Sequence, residues 1–444
     1  MIRVLTIVCD LGPGGTQRVA QNCAIGYKKA GLESAVLAMN GGGSREESLS
    51  ITNVDLFIGG ALRKDKDSAF HLAKKWNPTV VHIHRHGRTD LETGLIMRDF
   101  KERGCPILET NVFARTDYSR DRGLIDVHLH LSRWSLWKWQ QWSRIVKPAP
   151  IGVVVPNVVD SRAFFPVPSD KSRASRKDHG IPGEAFVIGR VGQPWLGKWS
   201  GLMFDAFKMV ASIHKDVYLL LVGMPKQLRA RIKLLPWNLQ QRIIEIPFIL
   251  GDENLRTCYS SMDAFLHASS IGESFGMVLA EAMLCGCPII TLSTPVKDNS
   301  QLEVVGHERG GLVVTNTKSM VEAMLRLYSD KVLREKFARQ GAEWVRAKYD
   351  VSQVMPTLIK IIKITLASRT RSELCASLKE DSDLITQVNY KEVQSLLKNV
   401  MGKTSLRERV LMRVVHNPYI YKFYIFMRTY LNRHRNKSSN NADL

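Results

Sequence analysis

Residues 263–293, DAFLHASSIGESFGMVLAEAMLCGCPIITLS, restrict the fold more than any other stretch of the chain. Asp-Ala-Phe-Leu-His is short, apolar and bounded by polar residues, the pattern of a buried parallel strand. Residues 269–273 form a polar loop with one glycine. The run 275–284 is apolar and made of good helix formers, which predicts a buried helix. Gly286 suits the position just past a helix end, and Pro288 follows where no helix can continue. Pro288-Ile-Ile-Thr-Leu then predicts a returning strand.

Two carboxylates stand in this unit, Glu273 in the loop and Glu281 on the helix. A carboxylate inside an apolar helix needs a partner. A loop-to-helix junction after a parallel strand also binds anionic and nucleotide ligands, because the first helical N–H groups are unsatisfied and the helix dipole is positive there. Spacing alone leaves a plainer alternative open, with Glu273 at the surface and Glu281 paired to a buried base. The surrounding residues go further. E-S-F-G-M-V-L-A-E-A-M-L-C-G-C-P resembles the E-x7-E signature of the retaining glycosyltransferases of family 4, the glycosyltransferases group 1. Glu273, Phe275, Gly276, Glu281, Ala282, Gly286 and Pro288 match it. That family adopts the GT-B fold. The resemblance implies that Glu281 holds the ribose hydroxyls of a nucleotide-sugar. It implies that Glu273 and the backbone N–H groups of Ser274, Phe275, Gly276 and Met277 hold the donor sugar.

At 444 residues the chain suits two domains and an appendage. Hydrophobic residues make up 44% and charged residues 24%, the ordinary balance of a soluble globular enzyme. The seven cysteines form no C-x-x-C pair and several sit in apolar runs. They read as reduced core residues rather than disulfides or zinc ligands, which fits a cytoplasmic protein. Residues 1–9 turn polar too soon for a signal peptide and predict a first strand. No run of about 18 apolar residues occurs, so no spanning helix is expected. The net charge of +21 implies an anionic partner: nucleic acid, acidic lipid or a phosphorylated substrate.

After the first strand comes Asp10-Leu-Gly-Pro-Gly-Gly-Thr-Gln-Arg-Val, and then a predicted helix over 16–30. A glycine-rich strand-to-helix turn lets backbone approach a phosphate or sugar, although a plain tight turn has the same composition. Gly14, Gly15 and Arg18 resemble the family's G-G-x-x-R loop, which implies a place facing the donor phosphates and the acceptor. Thr79-Val-Val-His-Ile-His-Arg-His-Gly predicts a strand whose alternation puts His82, His84 and His86 on one side. Strand spacing without a carboxylate or cysteine argues against zinc, and a satisfied strand-end histidine is the plain alternative. The stretch resembles the family's V-H-x-H, which implies that His84, favoured over His82, lines the cleft near the transferred sugar. Two D-x-D triplets, Asp65/Asp67 and Asp381/Asp383, do not convincingly follow apolar strands. Both read as solvated charge, and no metal is expected.

Residues 132–147 hold Trp134, Trp137, Trp139 and Trp142 interleaved with Arg133, Lys138 and Arg144. A core helix and an interfacial helix on anionic lipid both fit this pattern. Stacking on bases is a third option, but no nucleic-acid fold signature accompanies it. Val153-Val-Val-Pro-Asn-Val-Val-Asp resembles the family's strand ending in P-N-G-V-D, with Val158 in place of the glycine. Pro, Ser, Lys and Asp dominate residues 161–179, which predicts the interdomain linker.

Strand–helix alternation then restarts. A strand over 185–190 leads into Val191-Gly-Gln-Pro-Trp-Leu-Gly-Lys. The family carries an Arg and a Lys here that grip the donor diphosphate, since charge-assisted contacts neutralise the leaving group. Lys198 matches the Lys. Gln193 stands where the Arg is usual, and Arg190 is the substitute a shifted loop would supply. Residues past about 368 exceed the family's length. Residues 401–444 carry nine Lys and Arg against Glu408 and Asp443, interleaved with aromatics. A packed helix and a membrane-surface segment are the alternatives.

The expected architecture is α/β: a GT-B fold of two Rossmann-like domains facing a cleft, plus a basic helical C-terminal extension. Residues 1–165 form the first (acceptor) domain, completed by a helix over 352–366. Residues 180–350 form the donor domain. Residues 367–444 form the extension, its end disordered. The resemblance implies a retaining transfer of a hexose from a UDP- or GDP-sugar to a glycan or lipid-linked acceptor. Glu273, Lys198 and His84 would carry the chemistry, with no cofactor or metal. Retention would proceed by attack from the leaving-group face. An anionic membrane surface is the expected partner through 132–147 and 401–437, at the inner face of the membrane. Two rivals are weighed beside it: a non-catalytic sugar-nucleotide-binding protein of the same fold, and a nucleic-acid-binding protein. The second accounts for the charge but not for the two glutamates.

Overall fold

The computed structural model describes residues 1–59, 63–401 and 406–428. Its first half alternates strand and helix seven times. β1 (Arg3–Val8), β2 (Glu33–Ala38), β3 (Asp55–Ile58), β4 (Val80–Arg85), β5 (Ile107–Asn111), β6 (Val127–His130) and β7 (Gly152–Val154) form one sheet. Every neighbour is parallel, in the order β3-β2-β1-β4-β5-β6-β7. Apart from edge strand β3, they are almost wholly buried, as strands covered on both faces must be.

The second half repeats the scheme. β8 (Phe186–Val191), β9 (Val217–Val222), β10 (Ile243–Ile246), β11 (Ala264–His267), β12 (Gly272–Glu273), β13 (Ile289–Leu292), β14 (Asp298–Asn299) and β15 (Gly311–Val314) follow in chain order. Six of them form a parallel sheet ordered β10-β9-β8-β11-β13-β15. The two-residue strands β12 and β14 pair with each other and tie the Glu273 loop to the loop after β13.

Strand order reverses once in each sheet, between β1 and β4 and between β8 and β11. Loops leaving the carboxyl ends of strands diverge at such a point and open a crevice. The glycine-rich loop follows β1 and His84 ends β4. The Lys198 loop follows β8 and the Glu273 loop follows β11. The topology therefore delivers all four sequence motifs to two facing crevices.

The helix Val351–Ala367 returns to the first domain. It packs so closely on the helix Gly15–Lys29 that a Cβ at Gly26 would lie 2.7 Å from Met355 Sδ. The stretch 161–179, expected as a linker, contains the helix Ser169–Asp178. Its polar composition suits an exposed helix as well as a loop. Arg176 fastens it to the second domain through Asp263 at 2.9 Å and the carbonyls of Ser261, Gly183 and Ala185.

The tryptophan-rich helix, Arg133–Ser143, is not available to a membrane surface. All four tryptophans and Lys138 are buried. Trp142 stacks on Tyr421 with ring centroids 3.8 Å apart and 3° between planes, and its indole N–H donates to the Val415 carbonyl. Lys138 binds the Phe113 carbonyl and Asp298. The covering comes from the extension, whose helices Arg371–Glu380, Tyr390–Met401 and Leu406–Val415, with helical residues 418–428, wrap this side of the first domain. Leu374, Leu378, Val393, Leu397 and Met412 join the main core. The parts of the 401–437 expectation at 402–405 and 429–437 lie outside the described residues, as does the end expected to be disordered. The side chains of Asp65 and Asp67 do too. Asp381 and Asp383 both bind Lys360, at 3.0 and 2.8 Å. Among the described residues no helix is long and apolar enough to cross a membrane.

Candidate active site

Two helices point their N-termini at each other across the interdomain cleft. Gly14 caps Gly15–Lys29, and Gly276 caps Met277–Leu284. They approach so closely that a Cβ on Gly15 would sit 3.6 Å from Met277 Cγ. Gly276 adopts φ +90°, and a Cβ there would meet Leu279 at 2.7 Å and Glu273 Cγ at 3.0 Å, so only glycine turns the chain from β12 into the helix. The opposite end closes at Gly286 (φ +77°), as the sequence predicts. Each helix start presents unsatisfied N–H groups and a positive dipole end. The cleft between them holds about 650 Å³ and is lined from both domains, by Gly14, Gly15, His84 and Thr110 on one side and Lys198, Glu273 and Glu281 on the other. That volume suits a ligand of several hundred daltons.

Lys198 Nζ binds both oxygens of Glu273, at 2.9 and 3.0 Å. His267, at the end of β11, brings Nε2 to 3.3 Å from the same carboxylate, and the Ser274 N–H donates to it at 3.1 Å. Burial would raise the Glu273 pKa, but Lys198 and then His267 hold it well below the ordinary carboxylate range. Burial and Arg190 lower the His267 pKa to about 4, so its ring is neutral at pH 7. The result is a fixed anion with a largely buried cation at the cleft wall.

The second carboxylate differs. Tyr259 donates its hydroxyl to Glu281 Oε2 at 3.0 Å, and Arg18 Nε lies 3.3 Å from Oε1. Arg18 also grips Asp252 in bidentate fashion, at 2.6 and 3.0 Å. Burial raises the Glu281 pKa more than Arg18 and Tyr259 lower it. Arg18 belongs to the first domain and its two carboxylates to the second, so this cluster bridges the cleft. Arg45 braces the glycine-rich loop by donating to the carbonyls of Gly12 and Gly14.

Arg190 departs from the role expected of it. The residue borders the cleft, but its guanidinium is buried, donating to the carbonyls of Val191 at 3.0 Å and Lys198 at 2.8 Å. It lies over the rings of Trp199 and Phe265, and burial lowers its pKa to about 10. Arg190 therefore shapes the loop that carries Lys198 and is not free to clamp a diphosphate. Gln193 is exposed on that loop and lines the cleft. Phe275 also turns away, packing edge-to-face on Tyr349 at 5.2 Å, so only its backbone faces the site.

The histidines of β4 divide. His82 is buried between Tyr27 Oη at 2.9 Å and Thr110 Oγ1 at 2.8 Å. His84 lines the cleft with both ring nitrogens buried and unpartnered, and burial followed by His82 holds its pKa well below the usual range. A neutral imidazole at that position can donate to or accept from a sugar hydroxyl. His86 falls one residue beyond β4, where alternation ends, and is exposed. The β4 sequence itself offers no cysteine beside these histidines, but the helix Gly15–Lys29 supplies Cys23. Its sulfur and one nitrogen each of His82 and His84 lie within 4.8 Å of one another. Both His82 nitrogens are already engaged.

Sequence reasoning placed Glu273, Glu281, Lys198, Gly14, Gly15, Ser274, Gly276, Met277 and His84 around one cleft, and the structure brings them there. It read Arg18 only as part of the glycine-rich loop and not as the partner of Asp252 and Glu281. It also left out Asp252, Tyr259 and His267. The strand-end position of His267 in Asp-Ala-Phe-Leu-His was the one available signal.

Residues 185–330 match the family model described as Glycosyl transferases group 1. The phosphatidyl-myo-inositol mannosyltransferase of Mycobacterium leprae is 28% identical over 196 residues, 43% of this chain and 49% of that protein. The Campylobacter jejuni N-acetylgalactosamine-N,N'-diacetylbacillosaminyl-diphospho-undecaprenol 4-alpha-N-acetylgalactosaminyltransferase is 27% identical over 37% of this chain and 43% of its own. The chain thus spans about half the length of the curated relatives it matches, or less. Among solved structures, Anabaena HepE in complex with UDP-glucose superposes with a TM-score of 0.66 at 17% identity, covering 82% of this chain and 100% of that one. Sucrose-phosphate synthase from Thermosynechococcus elongatus gives 0.62 at 19% identity, covering 82% and 98%. The chain has the GT-B fold, and within its second half residues 185–330 are similar to the glycosyl transferases group 1 family.

Proposed function

We propose that this protein is a retaining glycosyltransferase that moves a hexose from a UDP- or GDP-sugar to a lipid-linked or surface-polysaccharide acceptor at the cytoplasmic face of a membrane. One observation carries the reading: Lys198 and Glu273 form a pair at the point where two helix N-termini converge. Cleaving a nucleotide-sugar leaves a diphosphate dianion, and catalysis lies chiefly in stabilising that charge. Lys198 and the two positive helix ends supply it. Glu281, with its oxygens already aligned by Tyr259 and Arg18, accepts from the two ribose hydroxyls. Glu273 and the backbone after it orient the donor sugar, and neutral His84 meets the sugar from the facing domain. The acceptor hydroxyl attacks the anomeric carbon from the leaving-group face. The C–O bond to the diphosphate breaks, and a diphosphate oxygen takes the acceptor's proton, so no separate base is required.

Support for a lipid-linked acceptor comes from the relatives, named as transferases to phosphatidyl-myo-inositol and to a diphospho-undecaprenol carrier. A second reading, binding without turnover, rests on Gln193 and on the buried guanidinium of Arg190, which leave Lys198 without a neighbouring arginine on its loop. A melting-temperature screen of UDP-, GDP-, ADP- and dTDP-sugars identifies the donor, since a ligand that binds only the folded state raises the transition. Release of nucleoside diphosphate from that donor then separates the readings. Lys198→Ala and Glu281→Ala should each abolish it, and near-wild-type release by either would refute the assignment.

A further inference from the structure

The helix Leu406–Val415 and helical residues 418–428 bury one side against the tryptophan helix, through Met412, His416 and Tyr421. The opposite side holds large apolar groups in water. Val410, Val414, Tyr419, Phe423, Tyr424 and Phe426 are between 44% and 69% exposed. Arg409, Arg413, Lys422 and Arg428 stand exposed among them. Single exposed apolar residues need no explanation, but a contiguous set does. Aromatics interleaved with cations on one helical face match the headgroup layer of an anionic bilayer.

The same helices meet a group of cations at the carboxyl ends of β4 and β5. Arg88 Nη2 donates to the Tyr421 hydroxyl at 2.9 Å, and Lys422 lies 5.8 Å from the centre of the Tyr118 ring. Arg115 lies over Phe113 at 4.7 Å, and Phe113 lines the cleft. Among the described residues no carboxylate forms an ion pair with Arg88, Arg115, Lys422 or Arg428, and Arg88 Nε is buried without a partner. The nearby carboxylates are committed elsewhere, Asp117 to Thr89 and Asp298 to Lys138. Burial lowers the Arg115 pKa, and Arg88 and Arg428 add to the shift while Tyr421 and Asp298 offset only part of it, so the cations of the cluster repel one another. Arg88 and Arg115 are half-buried, and like charges so placed are relieved by an anion.

We propose that this face docks on an anionic lipid bilayer, with the aromatic side chains entering the headgroup layer while Arg88, Arg115 and Lys422 receive a lipid phosphate beside the cleft. The proposal rests on the transfer reading only in naming a phosphate-bearing membrane lipid as the partner at the acceptor side.

Co-sedimentation of the full chain with phosphatidylcholine vesicles, and with phosphatidylcholine vesicles containing a third phosphatidylglycerol, tests it. The chain should bind the second and not the first, and release as salt rises. Phe423→Ser with Phe426→Ser, at exposed positions that leave the fold intact, should weaken binding by about tenfold or more. Arg88→Gln with Arg115→Gln should cost about tenfold on anionic vesicles. Equal binding to both vesicles, no binding, or unchanged binding by either double variant would overturn the proposal. So would inorganic phosphate that raises the melting temperature through Arg88 and Arg115 without any vesicle binding. The Phe variant should keep the nucleotide-sugar melting shift. If the wild type lacks that shift yet binds anionic vesicles, the transfer reading fails and the docking surface stands.

Discussion

Glu273 and Glu281 belong to one strand–helix unit and are equally buried, yet their surroundings push their protons in opposite directions. Glu273 faces a lysine on its own domain and a strand-end histidine, and its carboxyl is held low. Glu281 sits inside an apolar helix and shares Arg18 with Asp252, and its carboxyl is raised. The difference teaches that the motif is two sites. Glu273 is a fixed charge with a cation beside it, which the proposed reading assigns to an anionic leaving group. Glu281 is a desolvated acceptor held by Tyr259 and by Arg18 of the other domain, so on the proposed reading nucleotide recognition and interdomain contact share one side chain.

The largest expected effect falls on the Glu273 side. Lys198→Ala should reduce turnover by about a thousandfold, the range for losing one preorganised charge in a site of this kind. Nucleoside diphosphate release at saturating donor measures it. Glutamine replacements set the two carboxylates directly against each other. Glu273→Gln removes the anion that Lys198 and His267 surround and should lower unfolding stability by about 3 kcal/mol at pH 7. Glu281→Gln removes a charge that burial disfavours, and should change stability by less than about 1 kcal/mol while weakening donor binding about tenfold. Chemical denaturation of the two variants, side by side, reads the contrast.

The pH axis sharpens it again. His267 and His416 are both lowered to about 4 in the fold. A histidine with a depressed folded pKa contributes fully above its unfolded value near 6.5, and that contribution is lost as pH falls toward 4. Stability should drop over this window by at most about 1.4 kcal/mol per pH unit for each ring. The Glu273 contribution, by contrast, is present above the ordinary carboxylate pKa and is lost only as pH falls below it. Melting temperatures between pH 7 and 4 test the order, which His416→Gln should flatten. The smallest effect on the site itself comes from the extension. Tyr421→Ala removes a stacked, buried ring and should cost about 3 kcal/mol locally. It should increase hydrogen exchange along 406–428 and leave the nucleotide-sugar melting shift in place.

What could be read from the residues was what short-range chemistry decides. The strand over 264–267, the buried helix after Gly276 and its stop at Gly286 are local patterns of apolarity and backbone freedom, and all form as expected. The two parallel sheets follow from repeated strand–helix alternation. Long-range partners were not legible. Arg18 meets Asp252 across 234 positions, and Trp142 meets Val415 across 273. The tryptophan helix carries the composition of an interfacial helix because the segment that buries it lies at the far end of the chain. Arg190 failed for a different reason. A buried guanidinium that binds backbone carbonyls and one that faces a ligand have the same sequence, and only the path of residues 191–198 separates them.

Calorimetric titration of the wild-type chain and of Lys198→Ala, with UDP, GDP and their sugars, tests the central claim most directly. The claim predicts saturable binding of one nucleoside diphosphate by the wild type and a loss of at least about tenfold in affinity in the variant, since a charge-assisted contact contributes about 1.5–3 kcal/mol. Binding of equal strength in both proteins, or none in the wild type, would contradict it.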